Sequence, residues 1–477
     1  MSSSIDEPIS ATPTSASEHS WRQGAHIAVD IHDLSNRGDG VGRWGDRIVF
    51  VPDTVPGDRV DVRLTQVKPS YANATLQAIL QPSSQRVRPG CIVADKCGGC
   101  QWQAVAYAQQ LNAKRDQIGQ ALERIGGLPG MTIHPVMPSE PFGYRNKATY
   151  PLGRSSSTGQ VQAGYYQKRS HKLVNLNQCP VQDERFNPLM AGVKQDIQKQ
   201  GWSIYSETRH QGRLRHLSLR IGRRTGEMLL TLVSTEAALE GLEAQAQEWI
   251  GRYPGLVGVC LNLNPARTNA IFGAETRCIA GQPFLTERFA GLTFQVTANT
   301  FFQVNTEQAE VLLQIILDEL HLSGNEVLVD AYCGIGTLTL PLAKHVKQAI
   351  AIESQAEAVQ QAQVNAALNG VDNAAFHIGD VGTLLPQIQE AVDVVVLDPP
   401  RKGCDKAVLD GLLAIAPTCI VYVSCNPATL ARDLKALCGS GEDASPPLYR
   451  VRRVQPVDFF PQTAHVECAV FLERISS

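Results

Sequence analysis

Cys425 closes an apolar run, Cys419 to Val423, and is followed by Asn426, Pro427 and a stretch with helical spacing. A cysteine is often a small core hydrophobe. This one sits where a strand hands over to a helix, and the amides of a helix start favour a thiolate. It is a candidate nucleophile whose pKa is expected below the usual thiol value. Asp330, Glu353, Asp380 and Asp398 also close apolar runs. Asp330 leads into Ala-Tyr-Cys-Gly-Ile-Gly-Thr, where Gly334 and Gly336 let a tight loop approach a ligand closely. Glu353 closes the next run, the place from which an acid bonds a ribose diol. The loop is neither G-x-G-x-x-G nor G-x-x-x-x-G-K-[ST], so no pyrophosphate is implied. An adenosine-bearing cofactor without phosphate fits better, and S-adenosylmethionine is the common one.

Asp398, in Leu-Asp-Pro-Pro-Arg-Lys-Gly, would sit over the sulfonium end of that cofactor or over a target base, with the paired prolines stiffening the turn. The thiol narrows the reaction. Oxygen and nitrogen acceptors carry lone pairs and need no protein nucleophile. C5 of a pyrimidine does need one, because it becomes nucleophilic only after addition at C6. The adduct must then lose its C5 proton, which requires a base, and Glu467, in Thr-Ala-His-Val-Glu-Cys near the end of the chain, is the candidate.

The elements that must position these groups follow from the pattern. From about residue 305 onward, continuous apolar strands alternate with helical segments, which predicts a parallel α/β sheet covered on both faces, with ligands at the strands' carboxyl ends. Residues 24–83 alternate short β-rich runs with Gly, Asn, Asp and Pro, as in a small barrel. Residues 84–295 read as an α+β central domain and 296–477 as the catalytic domain. Residues 1–23 are poor in large apolar side chains and read as a disordered tail, and 439–447 as a surface loop.

The net charge is −3, yet 143–172 and 208–224 each hold six basic residues and no acid. Tyr144, Tyr150, Tyr165 and Tyr166 interleave with them. Basic segments with aromatic partners favour a polyanion that also offers flat bases. The chain has no run near the ~18 apolar residues of a membrane helix and no secretion signal at its start, so the cytoplasm is the expected location. Its twelve cysteines argue for metal binding, catalysis or burial rather than for a disulfide framework.

With these motifs in order, the sequence resembles the RNA uracil-5-methyltransferases, and within them the RumA-type enzymes of 23S rRNA. The matching stretches are FFQVN (301–305), DAYCGIGT (330–337), LDPPRKG (397–403), VSCNP (423–427) and HVE (465–467), with YRNK (144–147) and GRLRHLSLRIG (212–222) in the central part. The resemblance implies a Rossmann-like S-adenosylmethionine-dependent methyltransferase domain behind an OB-like TRAM barrel. It implies Cys425 as nucleophile and Glu467 as base. Gln303, Tyr332, Thr337, Glu353, Asp380 and Asp398 then surround the cofactor or target base, Tyr332 standing where relatives often have Phe. It also implies Cys91, Cys97, Cys100 and Cys179 as ligands of a structural [4Fe-4S] cluster, with zinc as the alternative. The substrate implied is large-subunit rRNA, with tRNA as the alternative, no membrane and no obligate protein partner. Two rivals keep a place: a methyltransferase of exocyclic base nitrogens, and an RNA-binding assembly factor without catalysis.

Overall fold

Alternation of buried and exposed positions along β1 (His26–Leu34) is what a curved sheet closed on itself requires. With β2 (Gly40–Trp44), β3 (Arg47–Val51), β4 (Arg59–Val67) and β5 (Tyr71–Gln81) it forms a closed barrel in the order β1-β2-β3-β5-β4. Ile27, Val29, Val60, Val62 and Leu64 fill its interior. The computed structural model describes residues 21–439 and 447–475, so most of the expected tail and of the expected 439–447 loop lies outside the described residues. The barrel unit nevertheless begins earlier than expected. Trp21 stacks on Trp44 with ring centroids 5.7 Å apart, since a ring of that size gains more from burial than it loses in ordering.

The chain divides into two compact units. One holds the residues up to Pro89 together with Gln101–Gln109, and the other holds Gly90–Cys100 and everything from Gln110 onward. Beyond the boundary expected at residue 84, Trp102 belongs to the barrel unit. Its fully buried indole donates to the Gly38 carbonyl at 3.1 Å, tying the 101–109 segment to the barrel unit.

The second unit contains two seven-stranded sheets. The central one comprises β6 (Lys147–Arg154), β7 (Val161–Tyr166), β8 (Leu173–Asn175), β9 (Leu214–Ile221), β10 (Met228–Ser234), β11 (Leu256–Leu263) and β12 (Glu275–Gly281), ordered β12-β11-β10-β9-β6-β7-β8. Residues of the helices Phe186–Lys199 and Leu242–Arg252 share one apolar core with Tyr150, Leu217, Leu219 and Leu230 of this sheet. A hairpin of β13 (Phe284–Phe289) and β14 (Leu292–Thr297) follows. Phe289, Phe294 and Val296 lie in the same core as Phe302 and Leu312, so by packing the catalytic part starts before the expected residue 296.

The catalytic sheet contains β15 (Val327–Ala331), β16 (Gln348–Glu353), β17 (Ala374–Ile378), β18 (Val394–Leu397), β19 (Cys419–Ser424), β20 (Tyr449–Val457) and β21 (Glu467–Arg474), ordered β17-β16-β15-β18-β19-β21-β20. Strands β15 to β19 are parallel, and β21 runs antiparallel between β19 and β20. The four residues of β18, Val-Val-Val-Leu, are all buried, as a strand covered on both faces demands. Strand order reverses between β15 and β18, which opens a crevice at their carboxyl ends. Among the described residues no helix is long and apolar enough to cross a membrane.

Candidate active site

The turn after β15 is tightly wound. Tyr332, Gly334 and Gly336 have φ of 74°, 55° and 87°, and for the tyrosine this left-handed conformation is strained. The amides of Tyr332 and Cys333 hold it by donating to the Ile352 carbonyl at 2.9 and 3.0 Å. Glu353 ties the same loop from the end of β16, accepting from the Gly334 amide at 3.2 Å and the Gln355 amide at 2.8 Å. Asp380 caps the helix Val381–Leu384 by accepting from the Thr383 amide at 3.2 Å, and its charge reaches Tyr332. Tyr332 also shares a hydrogen bond with Cys404.

Gln303, Asp330, Tyr332, Thr337 and Asp398 line one cleft at this edge. Asp330 is 1 % exposed and accepts from the Thr339 hydroxyl. Burial, and then the charge of Glu353, raise its pKa to about 6. Burial and the charge of Asp330 raise Asp398 to about 7, although part of its surface opens into the cleft, where water screens it. Gln303 donates to Asp398 at 3.4 Å.

Cys425 follows β19, and Glu467 begins β21. In the antiparallel ladder Ser424 pairs with Cys468, so one further step along the register sets Cys425 opposite Glu467. Glu467 is 4 % exposed, and burial together with the charge of Asp398 raises it well above the carboxylate range. The Cys425 thiol is pushed up to about 11 by burial and by the charge of Glu467, while Arg401 opposes this with its charge and a hydrogen bond. The expected lowering by the helix start is therefore corrected. Pro427 has no amide hydrogen, and the Ala428 amide is taken by the Asn426 side chain at 3.2 Å, so the helix Pro427–Leu437 offers the thiol little. Arg401 is the site residue that reading by residue type missed. It stood inside the Asp-Pro-Pro-Arg motif with no sign that its guanidinium turns toward the thiol.

Central residues hold the catalytic loops. Asn146 donates to the Gln303 carbonyl at 2.8 Å, and Asn305 donates to Ser139 at 3.0 Å while capping the helix Thr306–Leu320. The loop before Glu467 is fixed by a fully buried ion pair, Lys114 to Asp458 at 2.5 Å, and by Tyr144, whose hydroxyl donates to the Pro461 carbonyl at 3.1 Å.

Cys91, Cys97, Cys100 and Cys179 are brought within electrostatic reach of one another. Burial, then the charges of Cys100, Cys91 and Cys97, push the Cys179 thiol up to about 12. None of these four forms a disulfide. Among the described residues no three His, Cys, Asp or Glu side chains are arranged to hold a metal ion, so the expected cluster is not shown, nor a ready tetrahedral zinc site.

A doubly wound sheet of this order, with acidic strand ends around one cleft, defines a Rossmann-like methyltransferase of the S-adenosylmethionine-dependent class. Comparison with known proteins agrees. The family described as tRNA (Uracil-5-)-methyltransferase matches residues 276–378 and 387–475, and the TRAM domain matches 20–76. An uncharacterized RNA methyltransferase of Nostoc sp. is 64 % identical over 453 residues, covering 95 % of this chain and 97 % of that protein. One of Bacillus cereus is 39 % identical over 453 residues, covering 94 % and 96 %. The crystal structure of the Pyrococcus abyssi tRNA (uracil-54, C5)-methyltransferase in complex with S-adenosyl-L-homocysteine matches with a TM-score of 0.74 at 28 % identity, covering 93 % of this chain and 99 % of that one. The chain belongs to the S-adenosylmethionine-dependent RNA uracil-5-methyltransferase family.

Proposed function

We propose that this protein methylates C5 of a uridine in RNA, the uridine being flipped out of its stack into the cleft at the carboxyl edge. S-adenosylmethionine supplies an electrophilic methyl group there. Gln303, Tyr332, Thr337, Glu353, Asp380 and Asp398 bind and orient cofactor and base. Cys425 adds to C6 as the thiolate, C5 gains the electron pair and takes the methyl group, Glu467 removes the C5 proton, and the C6–S bond breaks to restore the ring double bond. The observation that carries the reading is the facing of Cys425 and Glu467 across β19 and β21, beside Asp398 and Arg401. A methyltransferase of exocyclic nitrogens would leave both groups without a task.

Large-subunit rRNA is the first substrate reading. A tRNA reading stands beside it for a specific reason. The Pyrococcus abyssi enzyme, described as a tRNA methyltransferase, matches over 93 % of this chain, so the barrel does not separate the two substrates. Mass spectrometry of nucleosides tests both, after incubating unmodified rRNA and tRNA with methyl-labelled cofactor. 5-Methyluridine in large-subunit rRNA supports the first, and label in tRNA alone replaces it with the second. No label in either leaves an RNA-binding factor.

The four cysteines fit a [4Fe-4S] cluster by donor chemistry. Cys91, Cys97 and Cys100 lie within electrostatic reach of Cys179, where thiolates would repel one another and a cationic centre would reverse that repulsion. Cys91 and Cys179 line an open cleft of about 1010 Å³, giving a path for loading. The role of these residues would be structural, joining the 91–100 loop to Cys179. Protein purified without oxygen should carry about four irons and four sulfides per chain, and zinc in their place would overturn the assignment.

A further inference from the structure

The core that contains Ala148, Tyr150, Leu217, Leu219 and Ile221 lies on one face of the central sheet. Alternation along β6 and β9 therefore places Lys147, Thr149, Ser218 and Arg220 on the other. Lys147 and Arg220 are register partners in this antiparallel ladder, which sets two cations side by side. Directly opposed like charges destabilise a sheet. Arg220 is 5 % exposed; it donates to the Thr300 carbonyl, and its Nε is buried without a partner. The Lys147 ammonium lies 5.3 Å from the centre of the Phe272 ring. Burial, then the repulsion of Arg220 and Arg145, push Lys147 down to about 6. Other basic residues of the same segment are already engaged: Arg223 pairs with Asp183 and Glu307, and Arg224 with Glu310. Lys147 and Arg220 are thus a basic pair, Arg220 buried and Lys147 half-buried, with which no carboxylate of the described residues forms an ion pair, so an anion bound there would restore the lysine's charge.

Both residues adjoin the segment that carries Gln303. Arg220 holds the carbonyl of Thr300, and Asn146, next to Lys147, holds that of Gln303. We propose that Lys147 and Arg220 together bind one backbone phosphate of the RNA substrate, beside the flipped nucleotide. This rests on the reading that the substrate is RNA. A phosphodiester supplies the missing anion, and the guanidinium and ammonium offer several donors to its oxygens.

Salt-dependent binding of unmodified tRNA and large-subunit rRNA transcripts to the full-length protein tests this, with Lys147→Met and Lys147→Arg variants beside the wild type. Lys147→Met should weaken binding about tenfold at low salt and reduce the slope of log affinity against log salt by about 1. Lys147→Arg should restore both. Because Lys147→Met removes a repulsion, its melting temperature should hold or rise while its affinity falls, a combination that a merely structural residue would not give. Unchanged affinity and slope in Lys147→Met, with the wild type binding RNA, overturn the phosphate site and leave the RNA reading standing. Wild-type protein that binds neither RNA overturns both.

Discussion

Cys425 and Glu467 face each other one register step beyond the last pair of the β19–β21 ladder, although they lie 42 positions apart in the chain. The antiparallel insertion of β21 beside β19 creates this relationship, bringing a carboxylate from near the chain end to the thiol. Replacing Cys425 with Ala should abolish methyl transfer while cofactor and RNA binding persist. Glu467→Gln should lower kcat by about 10²–10⁴-fold and accumulate a covalent RNA adduct, seen as a slow band on a denaturing gel. Measurable product from the first variant would remove Cys425 from the mechanism.

The thiol's environment predicts its reactivity. Burial and Glu467 hold Cys425 up at about 11, so in the cofactor-free protein the thiolate fraction, and with it alkylation of the Cys425 peptide by iodoacetamide, should rise about tenfold per pH unit between pH 7 and 9. Where Glu467 is ionised it is a negative neighbour of the thiol, so Glu467→Gln should shift the upper part of this profile to lower pH. Arg401→Gln removes the opposing cation and should shift it higher. Peptide mass spectrometry reads each variant, and a profile indifferent to both changes would show that neither group faces the thiol.

The carboxylates of the cleft work against stability. Asp330 is raised to about 6 and Asp398 to about 7, both above the values near 4 expected of an unfolded chain, so the folded state binds more protons between those limits. Their contribution is fully present below about pH 4 and is lost as pH rises toward 7. Asp398→Asn should therefore stabilise the protein at pH 8, by about 1–2 kcal/mol after allowing for solvent screening of a partly open group, while losing activity. Thermal melts at pH 5 and 8 check the sign: the gain should shrink at the lower pH.

Lys114 and Asp458 form an ion pair with both side chains fully buried, and the strand that opens with Glu467 begins a few residues later. Lys114→Met strands a buried carboxylate and should cost about 3–5 kcal/mol. Adding Asp458→Leu should recover much of that stability. The double variant should still show a lowered kcat, because the loop between Asp458 and Glu467 loses the donor to its Phe460 carbonyl. Full activity in a stable double variant would confine the pair to folding.

Tyr332 carries a strained backbone and a hydroxyl that meets Cys404, which in turn bonds Tyr422, whose own hydroxyl donates to Asp433 at 2.6 Å. Tyr332→Phe keeps the ring and removes one hydrogen bond. The loss should be about 1 kcal/mol, read as a few-fold rise in KM for the cofactor with kcat nearly unchanged. A drop in kcat alone would mean that the hydroxyl serves the chemistry instead.

The barrel, the parallel sheet and the cleft's acidic strand ends were legible because each rests on a local pattern. Alternation in Ile27, Val29 and Ile31, and unbroken apolar runs such as Val394 to Leu397, report one-faced and two-faced burial before any contact is known. Domain limits were less legible. Trp21, Trp102 and the 284–297 hairpin join their cores through contacts distant in sequence, which no local pattern records.

The sequence by itself determined which chemistry is possible here: a thiol, a late carboxylate, a glycine-rich turn and acids at strand ends, in an order specific to one family. Tertiary structure alone decided how those groups behave. It set Glu467 opposite Cys425, turned Arg401 toward the thiol, and put Asp330 and Asp398 along one cleft, so that charges from separate strands act on one another. It also reversed the expected shift of Cys425: burial and the charge of Glu467 raise the thiol, and a proline and an asparagine cap withhold helix amides that would have opposed them. Electrostatic neighbours are set by distance and dielectric, and neither is written in the order of residues along the chain.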